Sequence, residues 1–285
     1  MKINEVINNI KQYCKGSWMG IQIDDAKTRD KVLYGDASRE CTGIVTTIYA
    51  SVDVIRKAHE LDCNLIVAHE ALLWNHGDHK EWLEESNNKT YIEKKKLLDE
   101  YGITVWRFHD YIHSGIPYKD GYIDGIFYGL AKETGWDNAI IQEQLDSAVY
   151  VEVEKTTPRE VAKNIIERWN LNGLKCIGNM DAEVTKILVC GHVMEGSNSN
   201  DLIKRIDKED INLLLPLELI DFTLTEYVKD SAQLGFNRAI LAPGHFNLEE
   251  PGMKYMLEWL DDALNEHINT YYVQAGDMYS YILEY

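Results

Sequence analysis

Three short apolar segments of this 285-residue chain are each followed closely by histidine and an acidic residue. The segments, Asn64–Ala68, Ile103–Phe108 and Arg238–Ala242, have the length and apolar character of buried β-strands. Imidazole and carboxylate groups are both ligands for first-row divalent metal ions. The residues after these segments that can supply such ligands are His69, Glu70, His109, Asp110, His113, His245 and Glu249.

These side chains can meet because the carboxyl ends of parallel strands lie along the same edge of a sheet. Imidazole and carboxylate without thiolate suit zinc, iron, manganese, nickel or cobalt. One ion needs only three or four protein ligands, whereas five or more, with carboxylates able to bridge, fit two ions about 3.5–4 Å apart. The sequence therefore predicts two divalent metal ions, held by His69, Glu70, His113, His245 and Glu249.

A purely structural explanation exists for each of these residues taken alone. A histidine after a strand is often a hydrogen-bonded structural residue, and Glu249 with Glu250 can complement the N-terminus of a helix that begins near Pro251. A helix dipole contributes only about 0.3–1 kcal/mol, however, and does not require His245 in front of it. The coincidence at three strand ends favours metal binding.

The elements around these residues alternate between strand and helix with short connections, which predicts an α/β fold with mostly parallel pairing. Helices are predicted over Ile3–Tyr13, Val52–Leu61, Lys89–Gly102 and Tyr122–Thr134 and from Pro158 and Pro251 onward, and further strands over Thr42–Ala50, Ala148–Glu154, Lys186–Cys190 and Thr270–Gln274. Two lobes are expected. Residues 1–130 with 236–285 form the metal-site lobe, and residues 131–235 form a second, structurally similar lobe.

Composition limits the classes of function. A net charge of -18 opposes nucleic-acid binding, which depends on contacts with phosphate, and suits a protein that concentrates cations. The five cysteines form no CxxC pair, so neither a disulfide framework nor a thiolate zinc site is expected. The N-terminus lacks the apolar region of a signal peptide, and no apolar stretch approaches the roughly 20 residues of a membrane span. We therefore expect a cytoplasmic protein without membrane partners.

Two blocks of the sequence carry a family resemblance. VIRKAHELDCNLIVAHEALLW resembles the helix–strand segment of the NIF-three-like family, which usually ends in His-His-Pro, and APGHFNLEEPGMKYML resembles its Gly-His-x-x-(Ser/Thr)-Glu-x-x-Gly block. Members of this family are also named GTP cyclohydrolase I type 2 homologues or dinuclear-metal hexameric proteins. The resemblance implies that His245 and Glu249 are metal ligands and that His69 matches the first histidine of the family's pair.

The sequence departs from this family at two of the ligand positions. Glu70 replaces the second histidine of the pair. The family's His-Thr-x-x-Asp block is HDYIH here, so His113 stands where a ligand aspartate is expected and His109 keeps the histidine. An exchange of roles between two facing ligands would explain both changes, and Asp110 is the substitute if His113 is not a ligand.

The resemblance further implies a two-lobed α/β fold, with mostly parallel or mixed sheets flanked by helices, and a ring-shaped homohexamer. The function that follows is a dinuclear metal-dependent hydrolase for a small, phosphorylated or nucleotide-like substrate, in which His109 orients a ligand or acts as a general acid. GSNSN (Gly196 to Asn200) can either cradle a phosphate or simply cap a helix. The alternative function is a non-catalytic, metal-binding oligomeric scaffold that presents surfaces to partners.

Overall fold

The structure is a computed structural model that describes residues 1–18, 20–141, 149–193 and 197–282. The predicted strand Ala148–Glu154 and the segment GSNSN each begin with a residue, Ala148 and Gly196, that lies outside the described residues. The chain divides into two compact units. Unit 1 comprises residues 1–126 and 252–275, and unit 2 comprises residues 127–251 and the residues from Gly276 onward.

The strands of the described ranges are short. They are β1 (Ser17–Trp18), β2 (Ile21–Gln22), β3 (Val32–Tyr34), β4 (Ile44–Thr47), β5 (Leu65–Ala68), β6 (Thr104–Arg107), β7 (Ile116–Tyr118), β8 (Gly121–Ile123), β9 (Val149–Thr156), β10 (Lys175–Gly178), β11 (Val184–Cys190), β12 (Leu213–Pro216), β13 (Ala239–Ala242) and β14 (Thr270–Tyr272).

Helices alternate with most of these strands. They are α1 (Ile3–Tyr13), α2 (Val52–Glu60), α3 (Glu81–Glu85), α4 (Lys89–Tyr101), α5 (Asp110–Ser114), α6 (Gly125–Thr134), α7 (Pro158–Trp169), α8 (Ser197–Glu209), α9 (Leu224–Gln233), α10 (His245–Tyr255) and α11 (Leu260–Leu264), with 3-10 turns at Asp137–Ala139 and Met256–Glu258. Within the part of the chain that the structure describes, no helix is both long enough and apolar enough to cross a lipid bilayer.

Unit 1 contains a five-stranded sheet in the order β14-β4-β5-β6-β3. The first four strands run parallel and β3 is antiparallel to β6. Helices α2 and α4 pack their apolar faces on this sheet, with Val54 and Leu98 in the same core cluster as Ile66. The side chain of Ser51 caps α2 by accepting from the backbone N–H of Val54 at 3.2 Å. Gly102 ends α4 with a φ of 62°, a left-handed conformation that favours glycine.

Unit 2 contains a second five-stranded sheet in the order β10-β13-β12-β11-β9. The three central strands run parallel, and both outer strands are antiparallel to their neighbours. Helices α8 and α9 cover this sheet with Ile206 and Val228, which share a core cluster with Leu188 and Ile240. Each of these four residues is at most 1% exposed, and burying such a side chain contributes roughly 1.5–3 kcal/mol.

Three predicted boundaries are corrected by the structure. Residues 236–285 were assigned to the metal-site lobe, but β13 pairs with β10 and β12, and both residues 236–251 and those from Gly276 onward belong to unit 2. The helix expected from Pro251 begins at His245, and Pro251 lies inside it. The helix expected from Tyr122 begins at Gly125, because residues 121–123 pair with β7 as β8.

Candidate functional site

In unit 1, three of the predicted site residues follow neighbouring strands. Strands β5 and β6 are parallel and in register, with Ala68 opposite Arg107. His69 follows β5, and His109 lies just before α5, the short helix after β6 that carries His113. Because the carboxyl ends of parallel strands lie at the same edge of a sheet, these histidines lie close together.

The three imidazole rings contact one another. The centroid of the His69 ring lies 4.5 Å from that of His109 and 5.1 Å from that of His113, and the His109 and His113 centroids are 5.0 Å apart. One ring nitrogen from each residue lies within 4.8 Å of one from each of the others. His69 is fully buried and the other two are partly buried. This spacing fits three ligands of one metal ion.

The Nδ1 atom of each imidazole meets a hydrogen-bond acceptor. Nδ1 of His69 lies 3.0 Å from the carbonyl oxygen of Phe108, and Nδ1 of His113 lies 2.8 Å from Oδ2 of the buried Asp124. Since a carbonyl oxygen only accepts, Nδ1 of His69 is the protonated nitrogen. An imidazole held in this way carries its lone pair on Nε2, which is the form that binds a metal.

His109 has the same arrangement, with its Nδ1 2.9 Å from Oδ1 of Asp110. Burial, followed by the nearby His69, lowers the pKa of His109 to about 3. His109 is therefore neutral near pH 7, which suits a metal ligand and opposes the general-acid role considered for it.

Asp110 was the substitute ligand in the sequence prediction, and its carboxylate is occupied by other donors. Burial opposes its ionisation, but hydrogen bonds from His109, the backbone N–H of Arg29 and the hydroxyl of Thr28 hold its pKa below the usual range. The Arg29 guanidinium also donates to Oδ1 at 3.2 Å. This geometry favours Asp110 as the acceptor that orients His109.

The start of α5 is fixed by Asp30, a residue that sequence reasoning missed. Its carboxylate accepts from the backbone N–H groups of His109, Asp110 and Tyr111 at 3.0, 2.7 and 3.3 Å. Burial raises the pKa of Asp30 although these hydrogen bonds and that of Thr28 favour the charged form. Asp30 therefore anchors the helix that carries His113.

Glu70, the predicted ligand beside His69, belongs to a buried ion pair. Arg107 on β6 donates to Oε2 of Glu70 at 3.0 Å, and the two side chains are 1% and 7% exposed. The same guanidinium donates to the carbonyl oxygens of His69 and His76 and to Oδ2 of Asp78. Arg107 thus fixes the loop that follows β5 and compensates the charge of Glu70.

In unit 2, a second group of histidine and carboxylate lies at the ends of three parallel strands. His192 follows β11, Glu218 follows β12 and His245 follows β13. Nδ1 of His245 lies 2.5 Å from Oε1 of Glu218, and Nδ1 of His192 contacts the other oxygen of that carboxylate. Sequence reasoning missed Glu218, although the apolar run Leu213–Pro216 before it is the signal that located the other sites.

His245 and Glu249 both lie in α10, four residues apart and therefore on one face of the helix. Nε2 of His245 is 2.9 Å from Oε2 of Glu249, which is buried. The sequence prediction began this helix near Pro251, after both residues. Because the helix begins at His245 instead, the two side chains lie one turn apart.

A cavity of about 650 Å³ opens beside this group within unit 2. Glu218 and His245 line it together with apolar and aromatic side chains, among them Phe246, Met278 and Tyr279. Cavities of this size and character commonly hold small organic molecules.

The family model described as Duf34/NIF3 (NGG1p interacting factor 3) matches residues 1–276. The chain belongs to the Duf34/NIF3 family. This confirms the sequence prediction of a NIF-three-like protein with an α/β fold of mixed sheets flanked by helices.

Relatives from several bacteria resemble this Duf34/NIF3 protein over almost its full length. A protein named GTP cyclohydrolase 1 type 2 homolog from Clostridium acetobutylicum is 23% identical over 279 residues, which cover 95% of this chain and 94% of that one. The structure of the hypothetical protein SA1388 of Staphylococcus aureus matches with a TM-score of 0.69 at 16% identity, covering 99% of each chain. A Bacillus cereus protein related to NIF3 matches with a TM-score of 0.67 at 13% identity, again over 99% of each chain.

Within this Duf34/NIF3 chain, the predicted ligands fall into both units. Unit 1 brings His69 and His113 together with His109, and unit 2 pairs His245 with Glu249. The sequence analysis treated the five predicted ligands as one set. That set includes residues of both units, and it stays a prediction. The orienting residues that were missed, such as Asp124, lie in loops without apolar periodicity, so no local pattern marks them.

Proposed function

We propose that this protein binds divalent metal ions and uses them to hydrolyse a small molecule. The observation that carries the proposal is the group of three imidazoles in unit 1, whose Nδ1 atoms all face acceptors and whose ligating nitrogens lie close together. Three protein ligands with a further open position are typical of catalytic sites for zinc and related ions.

The chemistry of the donors fits such an ion. His69, His109 and His113 supply three imidazole nitrogens, and the carboxylates of Asp110 and Asp124 contact Nδ1 of His109 and of His113. His245 and Glu249, which the sequence also predicts as ligands, supply a further nitrogen and a carboxylate. A bound divalent ion supplies Lewis acidity and lowers the pKa of a water molecule. We include zinc, iron, manganese, nickel and cobalt as candidates, because this donor set suits each of them.

The proposed substrate is a small molecule that enters the cavity of unit 2. Its volume of about 650 Å³ accommodates a molecule of nucleotide size, and His245 lies in its wall. The Clostridium acetobutylicum relative carries the name of a GTP cyclohydrolase homologue. Phosphorylated or nucleotide-like compounds, GTP included, therefore head the panel to be tested.

The test is a hydrolysis screen with the full-length protein, stripped of metal and reloaded with each of the five ions separately. Phosphoesters, nucleotides and cyclic amides are assayed with the wild type and with a variant that carries both His113→Ala and His245→Ala, so that both histidine groups lose a member. The proposal expects turnover of at least one class that needs metal and falls at least a hundredfold in the variant. Turnover of none of them by a metal-loaded protein would rule out hydrolysis of these bonds.

A second candidate function is a metal-stabilised scaffold without catalysis. The observation in its favour is the burial of the unit 1 group, since His69 is 0% exposed and structural metal sites are closed by protein. For this function, metal loading raises the melting temperature while the screen stays negative.

We also propose that six copies assemble into a ring, as the family resemblance implies. Sedimentation equilibrium of the full-length protein is expected to give six times the chain mass. A single-chain mass at micromolar concentration would refute the assembly but not the metal site.

A further inference from the structure

His192, Glu218 and His245 form a group at one edge of the unit 2 sheet. Strands β11, β12 and β13 are parallel neighbours, and one member of the group follows each strand by two or three residues. Because the carboxyl ends of parallel strands lie at one edge of a sheet, the three side chains converge there. The same placement at the ends of β5 and β6 brings the histidines of unit 1 together.

The donor atoms of this group are spaced like the ligands of one metal ion. Nδ1 of His245 lies 2.5 Å from Oε1 of Glu218, and Nδ1 of His192 contacts the other oxygen of that carboxylate. The two imidazole centroids are 5.4 Å apart, and one donor atom from each residue lies within 4.8 Å of one from each of the others. Zinc ligands lie about 2.0–2.2 Å from the ion and hence about 3–4 Å from one another, so small side-chain rotations are enough to place all three around an ion.

A hydrogen-bonded network without metal does not account for this group by its stability. The side chains of His192, Glu218 and His245 are 54%, 39% and 22% exposed, and exposed ion pairs contribute at most about 1 kcal/mol. Two imidazoles that converge on one partly exposed carboxylate therefore add little to the stability of the fold. Partial exposure instead leaves coordination positions open to water or to a small molecule, as in catalytic metal sites.

The charges around the group favour a cation. Glu218 and His245 line the cavity of about 650 Å³, whose wall also includes the carboxylate of Asp221 and the ammonium of Lys175. On the other side of the His245 ring, Nε2 lies 2.9 Å from the buried carboxylate of Glu249. Among these residues the carboxylates outnumber the ammonium, and a divalent ion would offset the excess of negative charge.

We propose that His192, Glu218 and His245 bind a divalent metal ion at this edge of unit 2, in addition to the ion of the three unit 1 imidazoles. Two histidines with one carboxylate are a donor set that zinc takes in hydrolytic enzymes and that Fe(II) takes in sites with open positions. The donors place the ion on the Nδ1 side of His245, opposite Glu249 and beside the cavity. Hydrolysis is not required for this site, which extends the proposed function by adding His192 and Glu218 to the ligands.

The test separates this ion from that of unit 1. The unit 1 variant, which is the full-length chain with His69→Ala and His113→Ala, is titrated with Zn²⁺ in competition with a chelator. His192→Ala or Glu218→Gln is then added to this variant. The matched control is His267→Ala, because Nδ1 of His267 lies 2.9 Å from an exposed carboxylate and so forms a similar histidine–carboxylate contact.

His192→Ala and Glu218→Gln should each remove one ion per chain or raise its Kd more than about a hundredfold, since a residue that only orients a ligand changes the affinity by about 10–100-fold. His267→Ala should leave both the Kd and the number of ions unchanged. A smaller effect of His192→Ala and Glu218→Gln would overturn the ligand assignment and leave a hydrogen-bonded network only. Circular dichroism of the metal-free variants checks that each of them folds.

The second readout leaves all three ligands in place. Zn²⁺ is added to the unit 1 variant labelled with ¹⁵N-histidine, and the ring nitrogen resonances of His192 and His245 are followed, with assignments from single substitutions. Both sets of resonances should shift and saturate together, and unshifted His192 resonances would overturn the proposal. The two proposals fail separately: a negative hydrolysis screen does not alter these shifts, whereas unshifted His192 resonances leave the unit 1 ion and the screen unaffected.

Discussion

At the scale of single residues, the unit 1 site depends on which nitrogen each imidazole turns outward. The acceptors behind the rings, namely the Phe108 carbonyl, Asp110 and Asp124, determine this choice. Of these, Asp124 is the most informative to change, because it is buried and lies eleven residues from the histidine it holds.

Asp124→Asn is expected to raise the Kd of the unit 1 ion by about 10–100-fold, since an amide can donate to Nδ1 and stabilise the wrong tautomer. Metal competition assays on the full-length protein measure the change. Asp53→Asn is the control, because Asp53 forms an exposed ion pair with Arg56. Equal affinities in both variants would contradict an orienting role for Asp124.

Arg107→Met is expected to lower the free energy of unfolding by about 3–5 kcal/mol, because it leaves the buried carboxylate of Glu70 without its cation. Urea denaturation measures the loss. The control is Arg159→Met, whose partner Asp181 is exposed and whose loss should matter far less. A similar effect of both changes would show that the Arg107 pair is not special.

Lys94 gives a prediction for pH. Burial lowers its pKa to about 8 from 10.5, while its ammonium donates to the carbonyl oxygen of Leu72 at 2.9 Å. Between pH 8 and 10.5, Lys94 is protonated in the unfolded chain more than in the folded chain, so the free energy of unfolding rises with pH. The contribution of Lys94 to stability is therefore present above pH 10.5 and is lost as the pH falls toward 8.

The stability of the wild type relative to Lys94→Met should therefore increase by about 3 kcal/mol from pH 7.5 to 10.5. Urea denaturation of both proteins at several pH values measures this difference, and other titrating groups cancel. A difference that is constant with pH would show that Lys94 titrates normally.

At the scale of elements, the site depends on where strands end and on what anchors α5. Asp30 accepts from three backbone N–H groups at the start of that helix. Asp30→Asn should cost about 1.5–3 kcal/mol of stability and weaken metal binding as well. Asp36→Asn is the control, since Asp36 accepts from Ser38 in an exposed turn. Unchanged metal affinity in Asp30→Asn would show that the anchoring of α5 by Asp30 does not position the metal ligands.

The sequence predicted these strand ends well and the helix starts less well. Strands β5, β6 and β13 were found within one or two residues, because short apolar runs flanked by polar residues are distinctive. Helix α10 was missed at its start because a proline usually begins a helix, whereas Pro251 lies inside this one. Asp124 was missed because its role depends on a contact with His113, eleven residues away, whereas the apolar strand before Glu218 could have marked that residue.

At the scale of the whole molecule, the metal ions are expected to contribute to stability as well as chemistry. A ligand that binds only the folded chain stabilises it by about 2.7 kcal/mol at a concentration of 100 times its Kd. The net charge of -18 supports this coupling, because bound cations offset repulsion among the acidic groups. Removal of metal should therefore lower the melting temperature.

The most direct test of the central claim is the metal content of the full-length protein after stripping and reloading with each candidate ion. The wild type should hold at least one ion per chain, and a variant with His69→Ala and His113→Ala should hold at least one fewer. A control with His59→Ala and His267→Ala changes two exposed histidines and should match the wild type. Well under one ion per wild-type chain, or full loading of the His69 and His113 variant, would contradict the metal site.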